Sequence, residues 1–235
     1  MAKLISAQKT LRRLRNKGRA KTILRFFKTG PGEYGAGDKF LGVLAPQIRK
    51  AAQQYEHSPV GEVKLLLSSA YHEERLLALL IMSRQFQAGS AATRRRIFTL
   101  YLAHTHRINN WDLVDLSAPQ LVGAYLEKHS RAVLYRLARS RCLWERRIAV
   151  LATFWFIRNH DFADSFKIAA SLLEDEQDLI HKAVGWMLRE IGKRDRQAEE
   201  LFLKQHYQFM PRTMLRYAIE RLPERLRQAY LLGRV

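Results

Sequence analysis

The stretch LIHKAVGWMLREIG, residues 179–192, governs the reading of the chain. Ile180, Val184, Met187 and Ile191 recur at helical spacing, so the segment is an amphipathic helix with one apolar stripe turned to a core. Lys182, Trp186 and Arg189 follow one another at four and three residues and share a second face away from that stripe. The core does not need this tryptophan. An indole flanked by two cations on a polar face fits a nucleic-acid surface, with Lys182 and Arg189 on phosphates and the ring on a base or sugar. Packing against a neighbouring helix is the competing reading.

Outward from this helix the pattern repeats. Prolines number six, and the spacing of apolar residues predicts helices near 3–17, 19–28, 46–57, 59–68, 71–86, 91–105, 110–127, 131–140, 143–158, 162–174, 178–193, 195–208, 212–221 and 223–232. No strand is expected. The long irregular stretch GPGEYGAGDKFLG, from Gly30 to Gly42, holds five glycines and reads as a loop. Arg75, Asp112, Arg147, Lys182 and Arg216 each fall in the first or second turn of a predicted helix, at successive spacings of 37, 35, 35 and 34. That is the signature of a helix-pair repeat, whose period is about 34 to 47 residues in helical solenoids. The expectation is therefore all-α, one domain over residues 1–235, with an irregular helical bundle as the alternative.

The charge points to the partner. Lys and Arg number 41 against 22 Asp and Glu, a formal +19. Ten of the cations (Lys3, Lys9, Arg12, Arg13, Arg15, Lys17, Arg19, Lys21, Arg25 and Lys28) lie in the first 28 residues, with no acid before Glu33. Such clustering suits a phosphate backbone, because each neutralised phosphate releases condensed counterions. A solubilising surface or an anionic membrane contact is the alternative. No apolar run reaches the length of a membrane span or a signal peptide, and the single Cys142 excludes an internal disulfide, so the cytosol is the expected compartment.

In NNWDLVDL, residues 109–116, Asn110 is placed to cap a helix that starts at Trp111, and Trp111 and Asp115 stand four apart on one side of it. Leu113 and Leu116 are expected to point largely the other way. A tryptophan beside a carboxylate off the apolar stripe suits chemistry on a bound nucleotide. The plainer alternative makes Asp112 a partner of the helix dipole and Asp115 a surface ion pair. In LWERRIAVLATFWF, residues 143–156, Trp155 is expected in the core, and Arg147 either binds a phosphate or faces solvent. The runs Arg94, Arg95, Arg96 and Arg12, Arg13 read as solvated or phosphate-touching charge. His104 and His106 stand two apart on a predicted helix and so diverge, without a third metal ligand nearby. The glycine loop lacks a P-loop ending, and no nucleophile elbow is present.

Taken together, LRFFKT, FLGVLAPQIRK, NNWDLVD, LWERRIAVL and above all IHKAVGWMLREIGK resemble the alkylpurine DNA glycosylases built from HEAT-like repeats, the AlkD type. The resemblance runs over most of the chain. It implies a right-handed-type helical solenoid of HEAT-like helix pairs, whose concave basic face holds duplex DNA and whose cleft presents two tryptophans and an aspartate to the damaged nucleotide. The matching residues are Trp111, Trp186 and Asp115. Arg147 and Arg189 match backbone-contacting arginines. The chain departs at Phe26, where the family often has a tyrosine near the DNA, so a hydroxyl contact is lost there; Arg25 and Lys28 flank it. What the resemblance implies is base excision of cationic alkylated purines (3-methyladenine or 7-methylguanine class) without inserting the base into a deep pocket. Neither metal nor cofactor is expected, and monomeric action is expected because a solenoid can engage a duplex alone. A non-catalytic HEAT-like module binding distorted or branched nucleic acid is the main alternative, and a protein-interaction scaffold a weaker one.

Overall fold

A computed structural model describes residues 5–235; Lys3 and the first residues of the helix expected over 3–17 lie outside the described residues. Among the described residues the protein is all-helical, with no strand and only one isolated bridge, between Lys39 and Tyr71. Two compact units divide after Ser117: Met1–Ser117 and Ala118–Val235.

The first unit contains α1 (Ser6–Arg13), α2 (Lys17–Ile23), α3 (Ala45–Gln54), α4 (Val60–Leu67), α5 (His72–Ala88), α6 (Ala91–Ala103) and most of α7 (Trp111–Ala118). The helix expected over 3–17 ends at Arg13, where the chain turns at Leu14, and the one expected over 19–28 starts early, at Lys17, because Asn16 caps α2 by accepting from the Arg19 N–H at 2.9 Å. At the centre lies α5, against which α1, α3, α4 and α6 pack. Leu76, Leu77, Leu79, Ile81 and Met82 are buried around nearly its whole circumference. A helix that is apolar all round must be enclosed, and its first turn is enclosed with it. His72, Glu73, Glu74 and Arg75 are all buried, so every charge in the run requires a partner.

The partners come from four directions. Glu74 accepts from Arg12 at 2.7 Å, Gln8 at 2.8 Å and the Ser69 hydroxyl at 2.7 Å, which ties down α1. Arg12 is thus an internal ion-pair partner, not the solvated or phosphate-touching cation expected from the Arg12–Arg13 pair. Glu73 accepts from the backbone N–H groups of Leu41, Gly42 and Val43, the shortest bond being 2.7 Å to Gly42, and so pins the end of the glycine loop. At φ +78, Gly42 adopts the left-handed backbone, and a Cβ there would meet the Asn16 carbonyl oxygen at 2.2 Å. Arg75 reaches Asp38 at 2.8 Å, and His72 reaches Asp112 at 2.7 Å.

The second unit follows α7 with a π-helical turn (Pro119–Gly123) and α8 (Ala124–Leu126). The helix expected over 110–127 therefore carries a wide turn where Pro119 lacks an N–H to donate. Then come α9 (Ala132–Ala138), α10 (Leu143–Ala152), α11 (Phe154–Arg158), α12 (Ala163–Ser171), α13 (Asp178–Gly192), α14 (Arg196–His206), α15 (Arg212–Ala218) and α16 (Glu224–Leu231). The expected helix 143–158 is broken at Thr153, whose hydroxyl donates to the Val150 carbonyl at 2.7 Å. Within this unit α10 packs on α13 and α13 on α15, while α9, α12 and α14 pack against them as partners of successive pairs. Gly185 lets α13 and α15 close: a Cβ there would lie 2.4 Å from the Met214 carbonyl and 2.5 Å from Tyr217 Cβ.

The five repeat-spaced residues all fall in the first two turns of a helix, as their spacing predicts. Three local expectations fail. Trp155 is half-buried, and Trp144 is the core tryptophan. Leu116 is 38% exposed, so the buried face of α7 is Leu113, Val114, Ser117 and Ala118. Helix α6 ends at Ala103, and in the following turn His104 and His106 stack with centroids 6.1 Å apart instead of diverging. Among the described residues no group of three or more metal-ligating side chains comes together, and no helix is long and apolar enough to cross a membrane.

Candidate functional site

In the first unit the site grows from the start of α7. Asn110 is fully buried and its side-chain oxygen accepts from the Trp111 N–H at 2.9 Å, so the helix begins where the sequence sets the cap. Trp111 and Asp115, one turn apart, are both half-buried. Phe27 stacks on the indole with centroids 5.4 Å apart and planes 21° from parallel. Behind it, Phe40 stacks on Phe27 at 5.1 Å, and the His72 imidazole stacks on Phe40 at 4.9 Å.

His72 joins this aromatic stack to a buried charge network. Its Nε2 lies 2.7 Å from Asp112 Oδ2, and its Nδ1 lies 3.7 Å from Asp38 Oδ2, an ion-pair distance too long for a hydrogen bond. Asp38 also takes Arg75 at 2.8 Å and the Asn109 amide at 3.3 Å. Burial alone would lower the imidazole's pKa; the bond to Asp112 and the proximity of Asp38 more than reverse this and hold it up at about 9. Burial likewise pushes the Asp38 carboxyl up, and His72 and Arg75 bring it below its ordinary value.

From the end of α1 through α2 and the turn after it, the expected basic surface is present. Arg13, Arg15, Lys17, Lys21, Arg25 and Lys28 are exposed or half-buried, and Phe26 stands 70% exposed among them. The ring that supports Trp111 is Phe27, which sequence reasoning does not single out. In the turn over 24–27 adjacent side chains point opposite ways, and nothing local says which of the two phenylalanines turns inward.

In the second unit Ile180, Val184, Met187 and Ile191 are buried, and Lys182, Trp186 and Arg189 are half-buried on the other face of α13. The Trp186 Nε1–H donates to Glu190 Oε1 at 3.2 Å, and Phe154 leans on the indole at 6.1 Å. Glu190 is itself gripped by Lys193 at 2.5 Å and Arg194 at 3.2 Å. Burial would raise its carboxyl, and the bonds from Lys193, Arg194 and Trp186 bring it below its ordinary value. The indole edge is thereby fixed. Lys182 pairs with Asp178 at 2.7 Å, and Arg189 pairs with Glu220. Arg147 is only 5% exposed and donates to the Leu179 carbonyl at the start of α13, so it neither faces solvent nor presents an open guanidinium to a phosphate, the two roles its sequence position suggested.

These features define an all-α protein of packed helix pairs with a strongly basic surface and two braced tryptophans. The sequence matches the DNA alkylation repair enzyme family over residues 7–222, and the chain belongs to that family. Among solved structures it is similar to a protein of Enterococcus faecalis described as a predicted DNA alkylation repair enzyme, with a TM-score of 0.70 and 17% identity over 89% of this chain and 97% of that one. At that identity the likeness concerns the fold. AlkD2 from Streptococcus mutans aligns with a TM-score of 0.49 and 18% identity over 92% of this chain and 99% of its own. No curated protein matches the sequence.

Proposed function

We propose that this protein is a monofunctional DNA glycosylase that hydrolyses the N-glycosidic bond of cationic alkylated purines in duplex DNA. The observation that carries the reading is the half-buried pair Trp111 and Asp115, one turn apart on α7, in a chain of the DNA alkylation repair family. An N3- or N7-alkylated purine is already cationic and leaves as a neutral base, so no acid need protonate it. As the bond breaks, its electrons go to the base and positive charge develops at the sugar carbon. A carboxylate stabilises that oxocarbenium ion and takes a proton from the attacking water, which is the role assigned to Asp115. The face of Trp111 attracts the cationic nucleotide by about 0.5 to 2 kcal/mol, favouring charged lesions over neutral purines.

The cations divide the binding work. Arg25, Lys28, Lys182 and Arg189 serve the phosphates, with Phe26 against a base or sugar. Lys182 exchanges Asp178 for phosphate at little cost, because exposed pairs are worth about 0 to 1 kcal/mol, and Arg189, itself half-buried, exchanges the exposed Glu220. Arg147, buried against α13, holds its donors close to the helix that carries Trp186.

The test is release of free base from methylated duplex DNA under single-turnover conditions. Asp115→Asn is expected to cut excision at least about tenfold while leaving DNA affinity nearly unchanged. Comparable loss of binding would make Asp115 structural. No release by the wild type, together with tight salt-sensitive DNA binding, would favour a non-catalytic HEAT-like module for distorted or branched nucleic acid.

A further inference from the structure

We propose that His72 is the positioning residue for Trp111, acting as a buried imidazolium that fixes the start of α7 and backs the aromatic stack on which the indole rests. The inference rests on the reading of Trp111 as a ring that meets the cationic nucleotide.

Three observations carry it. His72 holds Asp112, the residue next to Trp111, at 2.7 Å, and the other oxygen of Asp112 accepts from the Leu113 N–H at 2.9 Å. The first turn of α7 is therefore clamped to the first turn of α5. The imidazole also stacks on Phe40 and lies 5.1 Å from Phe27, and Phe27 in turn stacks on Trp111. One side chain thus touches both supports of the indole. Finally, the charges facing the ring call for a cation: Asp38 from the glycine loop, Asp112 from α7, and Arg75 from its own helix, with Arg107 beyond Arg75. Arg107 spends its donors on the carbonyls of Leu67, Ser68 and Ser69. With His72 charged, the enclosed carboxylate of Asp38 and the half-buried one of Asp112 meet two cations; with His72 neutral, one carboxylate loses its counterion.

The device has a pH window. The group's pKa is raised from 6.5 to about 9, so its contribution is fully present below 6.5 and is lost as the pH rises through about 9. Through neutral pH the clamp stays closed. In alkaline solution the imidazole loses its proton, the pull on Asp112 weakens and Trp111 is released.

The experiment uses the full chain labelled with 5-fluorotryptophan, its Trp111 resonance assigned from Trp111→Phe and followed by fluorine NMR from pH 7 to 10. The wild-type resonance is expected to move with a midpoint near 9, and in His72→Gln the titration is expected to vanish. Base release from methylated duplex is measured in parallel. His72→Gln should lower the maximal single-turnover rate by about tenfold, the scale of a displaced positioning group, with less than about a twofold change in the protein concentration for half-maximal rate. A Trp111 signal that stays flat in the wild type, or a folded His72→Gln protein with the wild-type rate, overturns the proposal. Should His72→Gln fail to fold, Asp112→Asn removes the charge from the same contact on the other side, and the wild-type titration needs no variant at His72. If the wild type releases no base, the glycosylase reading fails, and the fluorine titration still decides whether His72 braces Trp111.

Discussion

Trp111 and Trp186 are both half-buried helical indoles, and they are held in opposite ways. Trp186 is braced mainly from its own helix: Glu190 stands one turn on, Lys193 and Arg194 follow within the next turn, and Phe154 leans on it from elsewhere. Trp111 is braced by Phe27, Phe40 and His72, drawn from three other segments, with Asp38 and Arg75 behind them. The difference teaches how each will fail. The local brace is partly solvated and separable, whereas the distant one is buried and cooperative, so removing any charge from it strands another.

The comparison can be broken first at Arg75. Arg75→Met leaves Asp38 buried without its guanidinium and should cost about 3 to 5 kcal/mol, read as a lowered midpoint in urea unfolding. A loss below about 1 kcal/mol would show the network to be no more cooperative than the surface pairs. Glu190→Ala should cost only about 1 to 2 kcal/mol, since Lys193 and Arg194 can turn to water, yet it frees the indole edge of Trp186. Glu190→Gln keeps an acceptor for the indole N–H and is expected to recover most of the excision rate lost in Glu190→Ala; equal loss in both would mean that charge, not orientation, matters there. Smallest of all for the fold is Lys182→Ala with Arg189→Ala. Stability should change by about 0.5 kcal/mol or less, while the slope of log affinity against log salt flattens by about two units on every duplex sequence. An unchanged slope would move the phosphate track to the cations around Phe26.

The brace around Trp186 is half legible in the sequence. Four- and three-residue spacing puts Lys182, Trp186 and Arg189 on one face of α13, and the stripe of Ile180, Val184, Met187 and Ile191 is buried as that spacing requires. Glu190 escapes notice because an acidic residue in a basic run looks like solvated charge. The run His72-Glu73-Glu74-Arg75 offers a clue of another kind: it opens a helix whose continuation is apolar on every side, and such a helix cannot leave its first turn in water. The same blindness to tertiary context makes Arg12 look like a phosphate ligand, Trp155 a core residue and Leu116 a buried one.

What the sequence determined by itself was local and periodic: the all-helical class, most helix boundaries to within a few residues, the cap at Asn110, the side-by-side placement of Trp111 with Asp115 and of Trp186 with two cations, and the family motifs that the match over residues 7–222 bears out. These follow from the 3.6-residue repeat, which any window of the chain carries. Only the tertiary structure decided that Phe27 and not Phe26 supports Trp111, that Glu73 holds the glycine loop, and that His72 sits between Asp38 and Asp112. Those choices depend on which distant segments exclude water together, and buried charges accept partners by distance in space, which no spacing along the chain encodes.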